Sequence, residues 1–431
     1  MLAKNDKSLG LLELIAIALG GMVGGGIFTI LGISVSMIGP YTPFAIAIGG
    51  GIAAMAAYSY IKLGVYYKDE GATYSFYKRT FPKSNFRASL IGWWVIFGYI
   101  STIALYAYTF SSYALSSSEY ANSEFARKIV AGAIIFIFTS INIWSVKGMG
   151  KIEDIMVYTK LVILVVISFT LMNHGKTTLP VLFENSGDVT FLSILIVSSL
   201  TFVAYEGFQL VINAVNEMEN PEKNIPRAIY SAISLAILIY IAIALGAMLA
   251  IPFEEIIQNK EYAMASGADK VLGHFGGELV IVGALLATSS AISGTIFGAS
   301  RQMSVIASDK YFPQFLAKKV NNIPVFSILT MSILAFSLIL IGDLQMILEF
   351  GSVTFLIVSV LMAFANHKIR HKTNSSPVVT TLSILSLVSG TCLILFYDIQ
   401  NQIEQLYFIV GIYCVLTICA YIFSRKSKRL S

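Results

Sequence analysis

Four places in this sequence carry residue types that could do chemistry inside otherwise apolar stretches. The first is Gly20-Gly21-Met22-Val23-Gly24-Gly25-Gly26, in which five of seven residues are glycine. Each interior glycine weakens a helix by about 1 kcal/mol relative to alanine, so a helix entering this stretch is expected to break there. The break leaves free N–H groups at the start of the second half-helix, at the positive end of its dipole. Such a terminus can hold a carboxylate by backbone alone. The competing reading is close helix packing through Gly20/Gly24 and Gly21/Gly25. Packing uses one face, however, whereas three consecutive glycines sweep about 200° around a helix. The second place is Glu206, in Thr201-Phe202-Val203-Ala204-Tyr205-Glu206-Gly207-Phe208-Gln209. Its carboxylate either meets a substrate ammonium or a proton, or accepts hydrogen bonds that hold unwound backbone. The third is Lys160, roughly 9 Å into its apolar run at 1.5 Å per residue. By depth alone it reads as a lysine snorkelling to the membrane surface. The fourth is the group Ser289, Ser290, Ser293 and Thr295, which either pack as small residues or line a site.

The elements that must position these residues are membrane helices. Mean hydropathy is +0.76 and only 12% of residues are charged, about half the share of soluble domains. Apolar runs fall near 9–36, 40–62, 88–115, 128–146, 154–173, 190–216, 227–251, 277–307, 323–341, 344–366, 377–397 and 404–424. That predicts about twelve spans with both termini on one side. With the termini cytoplasmic, the inner segments hold 23 Lys and Arg and the outer loops 5, which fits the positive-inside pattern. The first run is too long for a signal peptide and reads as a retained span. A residue such as Glu349, near the outer end of the tenth run, reads as interfacial. Asp69 to Arg79 reads as a short interfacial helix, and Ile251 to Glu278 as either a lid or a solvated loop with helical stretches such as Phe253 to Tyr262.

Spans one and six are both interrupted and run in opposite directions, the pattern of an inverted repeat with a midplane substrate site. The predicted units are 9–173 (spans 1–5), 190–366 (spans 6–10) and 377–424 (spans 11 and 12). His174, His274, His367 and His371 sit at span ends or in loops, so no histidine relay is expected to cross the membrane. Zinc-protease, hydrolase and nucleotide-loop motifs are absent, as is any Cys/His cluster. No catalytic, metal or cofactor site and no nucleic-acid partner is expected. An enzyme is the weaker class. A non-transporting sensor would not need two broken spans.

Glu219-Asn220-Pro221-Glu222-Lys223-Asn224-Ile225-Pro226-Arg227-Ala228-Ile229, read as one helix ended by Pro221 and another begun near Pro226, resembles a loop of amino acid permeases of the amino acid–polyamine–organocation superfamily. Gly24-Gly25-Gly26-Ile27-Phe28, Glu70-Gly71-Ala72-Thr73-Tyr74 and Phe202 to Phe208 resemble three further motifs of that family, in the same order. The likeness covers about residues 9 to 310. It implies an all-α integral membrane protein of the leucine-transporter type, with a 5+5 inverted repeat and helices 1 and 6 broken. It also implies transport of α-amino acids across the cell membrane. By that likeness the N–H groups of Gly24, Gly25 and Gly26 take the substrate carboxylate, and carbonyls near Met22, Phe202 and Tyr205 take its ammonium. Lys160 matches a helix-5 lysine of proton-coupled members, beside helix 1 and helix-8 hydroxyls such as Ser289 and Ser290, which implies proton coupling. Glu206 stands where an apolar residue is common, which points to small, polar or cationic substrates. An exchanger or polyamine carrier on the same fold is the alternative function.

Overall fold

The apolar runs fold as helices because, in a hydrocarbon layer, a helix bonds every backbone polar group within its own segment. The computed structural model describes residues 9–144, 146–184, 189–259 and 261–429. In chain order it has α1 (Leu11–Met22) and α2 (Gly26–Ile38), then α3 (Thr42–Tyr67), α4 (Ala72–Thr80), α5 (Asn85–Leu115), α6 (Glu124–Trp144), α7 (Val146–Asn173) and α8 (Leu179–Glu184). There follow α9 (Phe191–Leu200) and α10 (Leu210–Asn213), separated by a 3-10 turn at Thr201–Tyr205. The rest comprises α11 (Pro221–Ala250), α12 (Phe253–Gln258), α13 (Ala263–Leu272), α14 (His274–Ser308), α15 (Val325–Ile341), α16 (Leu344–Lys368), α17 (Arg370–Thr373), α18 (Pro377–Asn401) and α19 (Ile403–Arg429). Among the described residues, ten helical stretches are long and apolar enough to cross a membrane, and Leu11–Met22 and Val325–Ile341 are shorter apolar helices. The first of the ten joins α2 to α3, so these twelve pieces are the broken first span and the eleven spans after it.

Inside the bundle, α14 packs against both α5 and α7, and α11 packs against α1, α3 and α7. The two broken spans therefore lie at the centre, enclosed by α3, α5, α7, α11 and α14. Three local features depart from the sequence expectation. Pro221 starts α11 rather than ending a helix: Asn220 turns the chain with φ +42°, and proline fits a first helical position because its missing N–H has no intrahelical acceptor there. Pro226 consequently falls inside α11. Secondly, α7 begins eight residues before the expected start at 154, which places Lys160 mid-helix. Thirdly, the helix begun at Phe253 in the 251–278 connection ends at Gln258 rather than Tyr262, a second follows, and Ile256, Tyr262, Met264 and Ala268 are buried against the bundle. It is packed, not solvated. Lys260, expected among the outer cations, lies outside the described residues.

Both ends of the bundle are tied shut by polar contacts. At the α4 end, Tyr74 Oη donates to Asp309 Oδ2 at 2.7 Å, and Lys78 pairs with the same carboxylate at 2.8 Å. Burial raises the Tyr74 phenol, and the Asp309 carboxylate raises it further, so it stays a donor. Asn216 Nδ2 donates to Glu70 at 2.6 Å, and Leu9 pairs with the backbone of Glu217 and Glu219. At the opposite end, Arg127 pairs with Glu261, while Glu255 accepts from Lys270, Ser266 and Asn259.

Candidate functional site

The first break sits where the glycines placed it. Val23 closes α1 by donating to Leu19 O at 2.8 Å, and Gly24 N–H turns aside to Met22 O at 2.9 Å. Gly20 O thereby loses the donor four residues on that an unbroken helix would supply. Among the described residues the N–H groups of Gly25 and Gly26 make no backbone–backbone hydrogen bond, as expected for the first turn of α2. The packing reading holds as well. A Cβ on Gly25 would lie 3.0 Å from Thr288 Cγ2 and 3.1 Å from Thr109 Cβ and Tyr106 Cδ1. A Cβ on Gly24 would lie 2.7 Å from Tyr106 and 2.8 Å from Ala291, and one on Gly26 would lie 3.0 Å from Ala204 Cα. Break and close packing coexist because the unwound glycines present themselves to α5, α14 and the second break at once.

The second break is the 3-10 turn Thr201–Tyr205, followed by Glu206 in extended conformation and Gly207 at φ +119°. Gly207 must be glycine for two reasons: that φ disfavours a side chain, and its Cβ would sit 2.4 Å from Gly21 C. The two breaks thus touch backbone to backbone. Tyr240 of α11 bridges them, its hydroxyl lying 2.8 Å from Met22 O and 3.0 Å from Ala204 O. Met22 O accepts from both Tyr240 and Gly24, so both its lone pairs are engaged in this conformation. Phe202 and Tyr205 are buried, and the Tyr205 hydroxyl turns away from the break to Ile46 O at 2.8 Å.

Glu206 is 4% exposed. One oxygen accepts from Gly207 N–H at 3.3 Å, while Oε1 has no hydrogen-bond partner among the described residues. Gln209 accepts from the same Gly207 N–H at 3.1 Å and donates to Tyr99 Oη at 3.2 Å. The Glu206 carboxylate lies within electrostatic reach of Tyr60, Tyr99 and Tyr106. The Tyr106 hydroxyl is likewise buried without a partner. Buried polar atoms without partners are rare in folded proteins and ask for a ligand or water. Around the breaks, then, free backbone donors stand at α2, and orphaned acceptor and hydroxyl groups stand beside them. That combination can hold a zwitterion or a hydroxylated molecule.

Lys160 does not snorkel. Its side chain is fully buried, with Nζ donating to Gly20 O at 3.0 Å and to Ser290 Oγ at 2.8 Å. The ammonium supplies the donor that Gly20 lost at the break. It joins α7 to α1 and to α14, where Ser290 itself donates to Ala287 O at 3.0 Å and Ser289 is its neighbour. Glu349 is a correction: it is fully buried rather than interfacial, because α16, capped by Asp343, is covered by α18 and α5 where a free helix end would meet water. Tyr240, Tyr106, Thr109 and Thr288 were missed. In a chain with 22 tyrosines no spacing marks the one that bridges two breaks.

Residues 9–426 match the amino acid permease family. The inner membrane transport protein YbaT of Escherichia coli strain K12 is 28% identical over 432 residues, covering 98% of this chain and 97% of its own length. The methylthioribose transporter of Bacillus subtilis strain 168 is 24% identical over 453 residues, covering 99% and 95%. The Asc-type amino acid transporter 1 of Mus musculus is 26% identical over 326 residues, covering 72% of this chain and 60% of its own.

Proposed function

This chain belongs to the amino acid permease family, and from that premise we propose that it is a proton-coupled symporter of α-amino acids working by alternating access. It is a multi-pass membrane transporter of the amino acid type, not an enzyme. The observation that carries the finer reading is the pair of bonds from Lys160 to Gly20 O and Ser290 Oγ. Protonated, the amine holds α7, α1 and α14 together directly behind the glycine break. Neutral, it loses its charge and one hydrogen, and the tie weakens. A proton taken up on one side would therefore bias which way the central helices open.

In this reading, spans 1–5 and 6–10 are the two inverted halves. Gly25 and Gly26 N–H, with Gly24 once its bond to Met22 is released, receive the substrate carboxylate. The ammonium goes to the carbonyls at Phe202 and Tyr205, with Met22 O joining only when Tyr240 moves. Glu206, with an unpartnered oxygen and Tyr60, Tyr99 and Tyr106 within electrostatic reach, selects small polar or cationic side chains. Polar ties at both ends make this the closed intermediate between the two open states. Both termini lie in the cytoplasm, so a cysteine at Lys78 labels from inside only and one at Lys270 from outside only.

Uptake of a labelled panel into proteoliposomes, with and without an inward proton gradient, tests the reading. The panel holds neutral, hydroxylated and cationic amino acids, a polyamine and methylthioribose. We expect gradient-driven accumulation of at least one amino acid. Uptake that requires internal substrate points instead to exchange, and binding without flux to a sensor. Uptake of methylthioribose alone removes the amino acid assignment.

A further inference from the structure

Away from the breaks, the helix end that carries Asp343 holds two more carboxylates inside the protein. Glu349, in the second turn of α16, and Asp398, near the end of α18, are each 0% exposed. They lie within hydrogen-bonding reach of each other. Among the described residues neither forms an ion pair with Lys, Arg or His. Two ionised carboxylates this close, out of water and without a cation, repel strongly and forfeit their hydration. One positive charge must come from somewhere.

The hydrogen-bond pattern indicates which. Glu349 Oε1 accepts from Gln345 Nε2 at 2.9 Å. Gln405 of α19, with its amide turned the way that satisfies its neighbours, donates to Glu349 as well. Glu349 therefore has donors enough to remain a carboxylate. Asp398 has none, both its oxygens being buried without a partner. A metal cation is disfavoured, because the amide hydrogens aimed at Glu349 would point at it. A proton on Asp398 meets every requirement: it removes one charge and gives Asp398 a bond to make. We propose that Glu349 and Asp398 form a single-proton site, with Asp398 protonated and donating to Glu349, that ties α16 to α18.

The surroundings contain little else that titrates. On α16 and its cap the other acid at this end is Asp343, and on α19 it is Glu404, which is exposed. The buried face of α5 that packs on α16 has no charged residue, and α9 and α15 have none at all. The charged residue of α3 is Lys62, that of α18 besides Asp398 is none, and the cations of α16 and α19 sit at the far helix ends.

The test is infrared spectroscopy of the full-length protein in lipid at neutral pH, with hydrogen–deuterium exchange. The wild type should show a protonated-carboxyl band, and Asp398→Asn should remove one carboxyl's worth of it, whereas Glu206→Gln should not remove that component. As pH rises, wild-type thermal stability should fall, with the folding equilibrium changing by up to tenfold per pH unit while the proton leaves. The Asp398→Asn profile should fall less steeply than the wild type by that one-proton component, since an asparagine amide donates to Glu349 without a proton. A wild-type spectrum with no protonated carboxyl overturns the proposal without any variant. So does a band unchanged in Asp398→Asn. Stabilisation by sodium that Asp398→Asn abolishes would make the pair a metal-cation site and overturn it too.

Discussion

Lys160→Ala separates proton coupling from substrate binding, and the structure sets the size of the effect. A hydrogen bond to a charged group contributes about 1.5–3 kcal/mol, and the ammonium makes one to Gly20 O and one to Ser290 Oγ. If both exist in the closed state alone, the protonated side chain favours it by about 3–6 kcal/mol, or two to four powers of ten, of which protonation supplies the part that a neutral amine's weaker bonds do not. The alanine variant loses that shift. Ser290 keeps its bond to Ala287 O, but Gly20 O is left buried without the Lys160 donor, at about 1–3 kcal/mol. The assay is uptake into proteoliposomes with the membrane potential clamped and the interior one pH unit more alkaline. One proton per substrate supports up to about tenfold accumulation under that gradient. We expect the wild type to approach it, Lys160→Ala to equilibrate without accumulating, and its substrate Kd to change less than tenfold. Lys160→Gln, which can restore an N–H donor but cannot take up a proton, should recover thermal stability and remain uncoupled. A Lys160→Ala protein that still accumulates substrate tenfold refutes the coupling role.

Gly25→Ala places a methyl against Thr288, Thr109 and Tyr106 and over the N–H groups of α2; overpacking of this kind costs about 1–3 kcal/mol. We expect Gly25→Ala/Thr288→Ser to regain thermal stability without regaining binding, and recovery of both would reduce Gly25 to a packing residue. Glu206→Gln should weaken cationic substrates more than neutral ones in competition binding, because a charge pair becomes a dipole; equal losses would leave Glu206 a purely structural acceptor. Glu255 governs the α12–α13 cover. Burial raises its carboxyl, but Lys270, Ser266 and Asn259 outweigh burial and hold it below the ordinary value of 4.5. Its contribution is therefore present above pH 4.5 and lost as pH falls through the lower folded value. Hydrogen exchange in α13 should accelerate over that acid range in the wild type, while Glu255→Gln should show no such step.

Composition and glycine spacing made the two broken spans, the short α4 helix and the permease likeness readable before any coordinates, because each leaves a local mark in the chain. Lys160 was readable as a candidate, yet its depth was misjudged because α7 extends past the apolar run through a polar stretch. The bridging Tyr240 and the buried Glu349–Asp398 pair were not readable. Their meaning depends on which helices lie opposite, and one acid near a helix end looks the same whether water or α18 covers it. Pro221 was misread for a related reason. Proline marks a helix boundary but does not say which side of it the helix lies on, and the positive φ of Asn220 decides that.

The Tyr240 hydroxyl has one hydrogen and two carbonyls within reach, at 2.8 Å and 3.0 Å. A displacement of α1 relative to the second break that lengthens one contact leaves the hydrogen free to turn to the other carbonyl, so one bond survives along that path. The joint is soft in this direction. Where Gly21 meets Gly207 there are also no side chains to change rotamer. Besides the Lys160 tie, stiffness against opening then resides at the rims, where Lys78–Asp309 is part-exposed and Arg127–Glu261 is largely buried. Salt screens the part-exposed Lys78–Asp309 pair far more than the buried one. Turnover should therefore quicken with ionic strength while substrate affinity, set at the centre, stays nearly constant.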